Sequence, residues 1–304
     1  MQTVGVIGLG NMGTGMAKSL LKEGFKLTVY DIRDEALREM VNLGAGVATS
    51  PQHVGEQSQV VFIMVLNGAQ VKEVVTGKQG LLEGIKPGAT VIINATILRS
   101  IMIEVAAVLE EKGIDVIDCP VSGGQPGAAA GTLTMMAAAK KEVFQRCHDV
   151  LHAVGRNIYH VGEEIGMGQT VKGALSALTG SCYGGIFEAL VLGTKAGVKP
   201  EILYNVISTS MVGNDLFRDT AKHIMDRRFQ GAGACIQTMH KDLGITLSMA
   251  RDSGVPMFTT STAYQLFQAG ISLRPQEDNW TIIKILEEIA GTEVKGAVPS
   301  EGTD

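Results

Sequence analysis

Three glycines near the start of the chain could cradle phosphates. They stand in Gly8-Leu-Gly10-Asn-Met-Gly13, directly after an apolar run and at the start of a helix-like segment. At this spacing Gly8 permits a tight turn and Gly10 lets the backbone approach a pyrophosphate past Asn11 and Met12. Gly13 allows the helix to pack closely on the strand. The helix end then offers N–H donors and a positive partial charge to the phosphates. In a chain with 38 glycines among 304 residues the triplet alone is weak. The next apolar run ends Val29-Tyr30-Asp31, which adds a carboxylate about 20 residues downstream, where it can accept from ribose hydroxyls and repel a 2′-phosphate. The pair points to a dinucleotide site that favours NAD over NADP, although Arg33 could partly accommodate a phosphate. A third group, Ser122-Gly123-Gly124, combines a hydroxyl with exposed backbone N–H groups that could hold a substrate carboxylate. By itself it is equally a structural turn after a strand.

The elements that must position these groups are legible in the pattern. Val4–Ile7, Lys26–Tyr30, Val60–Val65, Thr90–Ile93 and Asp115–Ile117 are short runs rich in β-branched residues. Between them Met12–Lys22, Glu35–Leu43, Gln70–Val75 and Met102–Lys112 repeat apolar residues at helical spacing. This alternation predicts an α/β fold with a doubly wound parallel sheet of the Rossmann type. Gly131–Ala137 reads as a further strand, Glu142–Ala153 as a helix and Asn157–His160 as a last strand. Beyond them the pattern turns helical: Lys172–Gly197, Pro200–Ser208, Asp215–Met225, Lys241–Asp252 and Asn279–Ala290. The expected division is a dinucleotide-binding domain over 1–164, an all-α domain over 165–294 that contributes to the substrate site and to oligomerisation, and a loose tail over 295–304. The glycines of Lys172–Gly197 each weaken a helix by about 1 kcal/mol relative to Ala, which close packing against a neighbour can offset.

The formal net charge is −5 and no basic run stands out, which argues against a nucleic-acid partner. The four cysteines form no C-x-x-C pair, and no metal is assigned. A spanning helix needs about 20 apolar residues, so the uncharged stretch between Lys172 and Glu188 is too short, and no membrane role is expected. The chain opens on a strand rather than a signal-like layout, from which a cytoplasmic location is expected.

Four motifs in order give the sequence a family likeness: Gly8-Leu-Gly10-Asn-Met-Gly13, Pro120-Val-Ser-Gly-Gly124, Gly166-Met-Gly-Gln-Thr-Val-Lys172 and Lys241-Asp-Leu-Gly244. From residue 2 to about residue 292 the chain resembles the β-hydroxyacid dehydrogenases, the family that includes 3-hydroxyisobutyrate dehydrogenase. The resemblance implies that Lys172 is the acid/base that takes the hydroxyl proton while hydride leaves the same carbon for nicotinamide. An amine suits this role where partial burial and nearby positive charge favour its neutral form. The resemblance also implies that Leu66 and Thr96 contact the nicotinamide side and that Lys241 closes over the cofactor. It further implies a homodimer or homotetramer acting on a small hydroxy acid or its semialdehyde.

The chain departs from the family at the third and fourth positions after Lys172, where Leu175 and Ser176 replace a usual Asn. Ser176 is therefore a candidate substrate contact. Met64-Val-Leu-Asn-Gly-Ala-Gln70 and Gly213-Asn214-Asp-Leu-Phe217 look most like the L-threonate dehydrogenase branch, which adds Asn214 as a second candidate. The expected function is NAD-dependent hydride transfer to or from a short β-hydroxy acid. The alternatives are an NADPH-dependent semialdehyde reductase and a non-catalytic dinucleotide-binding interaction protein.

Overall fold

The computed structural model describes residues 2–296, so most of the expected tail, from residue 297 onward, lies outside the described residues. The chain divides into two compact units, Met1–Ala174 and Leu175–Asp304. In the first, strands Thr3–Ile7 (β1), Lys26–Tyr30 (β2), Gly46–Val47 (β3), Val60–Ile63 (β4), Thr90–Ile93 (β5) and Asp115–Asp118 (β6) run parallel in the order β3-β2-β1-β4-β5-β6. Helices Asn11–Lys22 (α1), Asp34–Asn42 (α2), Pro51–Gln57 (α3), Gly68–Thr76 (α4) and Arg99–Glu110 (α5) make the crossovers. This is the doubly wound sheet that the alternation predicts.

The central strands β1, β4 and β5 are apolar on both faces because each face is covered. Val4, Val6, Val60, Phe62 and Ile92 pack with Met16, Ala17 and Leu20 of α1. Their sequence neighbours Ile7, Val61, Ile63, Val91 and Ile93 point the other way, onto Val71 and Val75 of α4 and Met102, Val105 and Leu109 of α5. The order reverses at β1, so the C-terminal ends of β1 and β4 flank a crevice, the usual ligand position in such sheets.

After β6 come Val121–Ser122 (β7), Gly124–Ala130 (α6), Leu133–Ala138 (β8), Lys141–Arg146 (α7), His148–Val154 (α8) and Gly155–Gly162 (β9). β8 runs antiparallel to β6 and β7 and parallel to β9. Two expectations need correction here. The strand expected over Gly131–Ala137 begins at Leu133, because Gly131 adopts φ +66° to close the short helix α6. The single helix expected over Glu142–Ala153 is two, broken at Cys147 (φ −97°, ψ 8°).

Helix Met167–Lys195 (α9) starts in the first unit and continues in the second. In the second unit Tyr183, Phe187 and Leu190 of α9 share a core with residues of Asp215–Met225 (α11), Ile236–Asp252 (α12) and Phe258–Leu273 (α13). Pro200–Ser208 (α10) and Ile283–Ala290 (α14) complete the unit. Two glycines of α9 have the expected purpose, whereas a Cβ on Gly184 or Gly185 would meet nothing within 4 Å. A Cβ on Gly180 would lie 2.7 Å from Leu243, and one on Gly193 2.6 Å from Leu203, so small residues let α12 and α10 approach.

Sequence periodicity misses α3, α6 and α13 and starts α12 too late. In α13 the buried positions include Thr260, Ala263, Phe267 and Gly270, so the spacing is helical but most side chains are small or polar. The helix expected over Asn279–Ala290 begins as a 3₁₀ turn, Asn279–Ile282. Among the described residues α9 alone is long and apolar enough to cross a membrane on length and composition, contrary to the estimate from its uncharged stretch. Its aromatic side chains, however, are spent on a protein core.

Candidate functional site

The loop after β1 has the geometry of a phosphate cradle. Gly8 sits at φ +94°, and a Cβ there would fall 2.3 Å from Met64 O at the end of β4. A Cβ on Gly13 would lie 1.8 Å from Gly8 O, so any side chain at that position forces α1 away from the turn. A Cβ on Gly10 would meet nothing within 4 Å. Gly10 also gives α1 no side-chain cap, and the helical bonding starts at Thr14 N–H to Gly10 O. The N–H groups of Asn11, Met12 and Gly13 are therefore left to a ligand at the helix end. The residues fit a dinucleotide pyrophosphate.

Asp31 follows β2 and reaches back to this loop. Its carboxylate accepts from Leu9 N–H at 2.7 Å and Arg33 N–H at 2.9 Å, and pairs with the Arg33 guanidinium at 3.0 Å. Burial alone would raise its pKa, but the Arg33 side chain and the two backbone donors outweigh burial and hold it below the ordinary value. Asp31 thus fixes the glycine loop to β2 as well as offering an acceptor, and Arg33 lies directly on it. Leu66, exposed after β4, donates its N–H to Gln70 Oε1 at 2.8 Å, while Asn67 caps α4 through Gln70 N–H. Thr96 follows β5 and is half-buried.

Ser122 ends β7, and Gly123 and Gly124 take φ +129° and +60° as they enter α6. The expected polar turn is therefore the start of a helix. α6 packs on α1, where a Cβ on Gly15 would come within 2.7 Å of the Ala128 and Ala129 backbone, and Ser19 Oγ donates to Ala128 O at 3.2 Å. Gly15 was missed by sequence reasoning because it falls outside the fingerprint; only the packing of two helices shows why it is small. Gly123→Ala puts a side chain where φ +129° is essentially restricted to glycine, at a cost of about 1–3 kcal/mol. The expected result is a raised KM for an acid substrate with NADH affinity nearly unchanged, measured by steady-state kinetics and fluorescence titration. A selective loss of NADH binding would instead assign the turn to the cofactor.

α9 begins where β5 and β6 end. Asp118, fully buried, accepts from Gly166 N–H at 3.0 Å, Gln169 N–H at 3.2 Å and Gln169 Nε2 at 2.8 Å. Gln169 Nε2 also donates to Ala95 O at 3.1 Å, and Gln169 Oε1 accepts from Ile97 N–H at 3.0 Å. The two strand ends are themselves joined, since Asn94 Nδ2 donates to Cys119 O at 2.7 Å. Gly168 is forced by contact, because a Cβ there would lie 2.6 Å from Asp118 O and 2.7 Å from Met136 O. Lys172 stands one turn beyond Gln169 and is half-buried. Burial pushes the Asp118 carboxyl up to about 6, against the Gln169 side chain and the N–H groups of Gln169, Gly166 and Gly168. Gln169 lies inside the Gly166–Lys172 motif, but the sequence attaches no role to it or to Asp118.

The second unit holds the remaining candidates. Ser176 is buried on α9. Asn214 is exposed, and its Oδ1 caps α11 by accepting from Phe217 N–H at 2.9 Å. Lys241 Nζ pairs with its neighbour Asp242 at 2.9 Å on α12, and Asp242 is buried. His148 and His152 on α8 have the H-x-x-x-H spacing, and their rings sit 4.2 Å apart. Among the described residues no three His, Cys, Asp or Glu are grouped to hold a metal.

Comparison with known proteins extends these observations. Residues 3–162 match the NAD-binding domain of 6-phosphogluconate dehydrogenase, and residues 166–286 match the NAD-binding domain of NADP-dependent 3-hydroxyisobutyrate dehydrogenase. The chain is 37% identical to 2-(hydroxymethyl)glutarate dehydrogenase of Eubacterium barkeri over 96% of this chain and 97% of that protein. It is 35% identical to L-threonate dehydrogenase of Cupriavidus necator, covering 95% and 97%. The crystal structure of 3-hydroxyisobutyrate dehydrogenase from Salmonella typhimurium superposes with a TM-score of 0.85 at 31% identity, over 94% of this chain and all of that one. The glycine cradle, the Ser122-Gly-Gly turn and the Gly166-x-Gly-x-x-x-Lys172 helix start thus stand in a full-length framework, and the chain belongs to the 3-hydroxyisobutyrate dehydrogenase family of β-hydroxyacid dehydrogenases.

Proposed function

We propose that the chain oxidises a short β-hydroxy acid to its semialdehyde or keto acid with NAD, or runs the reverse reduction, with Lys172 as acid/base. One observation carries the reading. The glycine loop after β1, the Thr96 segment after β5, the segment from Asp118 to Gly124 and the first two turns of α9 all lie at or just beyond the C-terminal ends of the parallel strands β1, β5 and β6.

In this reading Gly8, Gly10, Asn11, Met12 and Gly13 hold the pyrophosphate, Asp31 the adenosine ribose, and Leu66 and Thr96 the nicotinamide side. When bound, the dinucleotide supplies the hydride acceptor for oxidation or the donor for reduction. Ser122, Gly123 and Gly124 fix the substrate carboxylate through a hydroxyl and backbone N–H groups. Lys172 takes the hydroxyl proton as the C–H bond breaks and returns it in the reverse direction. Ser176 and Asn214 are carried over from the family likeness as candidate polar contacts for substrate, and Lys241 as a candidate contact for cofactor. The substrate is 3-hydroxyisobutyrate-like or sugar-acid-like: the relatives include L-threonate, 2-(hydroxymethyl)glutarate and 3-hydroxyisobutyrate dehydrogenases, and the segments at Met64–Gln70 and Gly213–Phe217 look most like the L-threonate branch.

The test is turnover of L-threonate, 3-hydroxyisobutyrate and 2-(hydroxymethyl)glutarate with NAD and with NADP. A higher kcat/KM with NAD is expected, and Asp31→Ala should narrow the gap. Equal or better use of NADP by the parent enzyme would favour the second reading, an NADPH-dependent semialdehyde reductase. The observation behind that reading is the Arg33 guanidinium lying on Asp31, where it could turn to a 2′-phosphate.

We also infer a homodimer or homotetramer. Leu178 and Leu192 on α9, Ile202 and Val206 on α10, and the following Met211 and Val212 are exposed apolar side chains of the second unit. Such a surface suits association with a second copy. Light scattering at micromolar concentration should give a mass of at least two chains, and a monomer alone would count against it.

A further inference from the structure

We propose that Asp118 and Gln169 are positioning residues for Lys172, a role that rests on the acid/base reading above. The inference starts from a cost. A carboxylate with no exposed surface is expensive to keep unless donors surround it. Asp118 is surrounded by donors from one place, the first turn of α9: two backbone N–H groups and the Gln169 amide. It therefore caps this helix from another strand, with its negative charge at the positive end of the helix dipole.

Gln169 uses all of its polar atoms in the same junction. Its Oε1 and Nε2 bond to Ile97 N–H and Ala95 O, the residues on either side of Thr96. One side chain thus ties α9 to the end of β5 and to the end of β6. Gly168 removes the remaining clearance, since any side chain there would strike the Asp118 and Met136 carbonyls. Helix ends ordinarily fray. This one is fixed to two parallel strands at the residues that immediately precede Lys172.

Positions 169 and 172 are one turn apart on the same side of the helix. The knot consequently sets the height and rotation of Lys172 relative to the Thr96 segment. Proton transfer requires the amine within hydrogen-bond reach of the reacting hydroxyl, and a misplacement of 1 Å can cost about 10²-fold. Asp118 and Gln169 need not touch substrate to act in this way.

The variants Asp118→Asn and Gln169→Ala test the assignment, with Gln169→Glu as a volume-conserving third that sets a carboxylate against Asp118. Each is expected to lower kcat about ten- to hundredfold, using whichever of L-threonate and 3-hydroxyisobutyrate the parent turns over faster. NADH affinity should stay within about threefold. In a Lys172→Ala background the same changes should cost less than about threefold more, because a misplaced amine that is already absent has no further effect. Hydrogen exchange of a peptide covering residues 166–172 should quicken in each variant, a readout independent of turnover. If Lys172→Ala abolishes activity while these variants keep parental kcat or parental exchange, the positioning role is overturned and the acid/base reading stands. If Lys172→Ala itself remains active, the acid/base reading fails first.

Discussion

Lys172→Ala and Lys172→Met are expected to lower kcat by about 10²–10⁴-fold while NADH binding survives, the usual loss when a positioned acid/base is removed. Lys172→Arg should fail as well, since a guanidinium stays protonated and cannot accept the hydroxyl proton. The separation of effects follows from the fold. Lys172 lies on α9, whereas the phosphate cradle is built by the β1–α1 loop and Asp31. The measurements are kcat for the three variants and NADH fluorescence titration. Near-parental turnover in Lys172→Met would transfer the chemistry to another residue, with Lys241 the next to test.

Gly13→Ala is expected to weaken NADH binding at least about 100-fold. The added Cβ falls 1.8 Å from Gly8 O, far inside contact distance, and the nearby obstacle is backbone that cannot turn away. The start of α1 must move, and the Asn11, Met12 and Gly13 N–H groups move with it. Hydrogen bonds to a charged group are worth about 1.5–3 kcal/mol each, so losing two accounts for a change of this size. Gly10→Ala separates binding from folding. Nothing lies within 4 Å of a Cβ there, so stability should be kept while a methyl group intrudes where the pyrophosphate approaches. Thermal melting beside NADH titration should show Gly13→Ala impaired in both and Gly10→Ala in binding only. Unchanged affinity in Gly13→Ala would remove the loop from the cofactor site.

The first unit's sheet was readable because its determinants are local. Apolar runs such as Val60–Ile63 and Thr90–Ile93, separated by amphipathic segments, carry their periodicity in the chain itself. The glycine fingerprint and Asp31 were readable for the same reason, since a tight turn and a strand end impose residue types at fixed spacing. The family motif marked Lys172 in the same local way. Helices α6 and α13 were not readable, because their small and polar residues give the chain little apolar periodicity to mark a buried face.

The supports of the candidate site were also beyond the sequence. Gly15 is small because α6 lies on it, and Gly168 because β6 lies under it. Asp118 and Gln169 are 51 positions apart, and nothing in either neighbourhood announces the other. Asp31 looked like a free acceptor for ribose, but the fold commits it to Leu9 N–H and Arg33 as well. Spacing along the chain determined which groups could do chemistry. Which of them meet, and which carboxylate holds a helix instead of a ligand, depended on long-range packing, because a buried polar group is stable only where distant segments bring its partners.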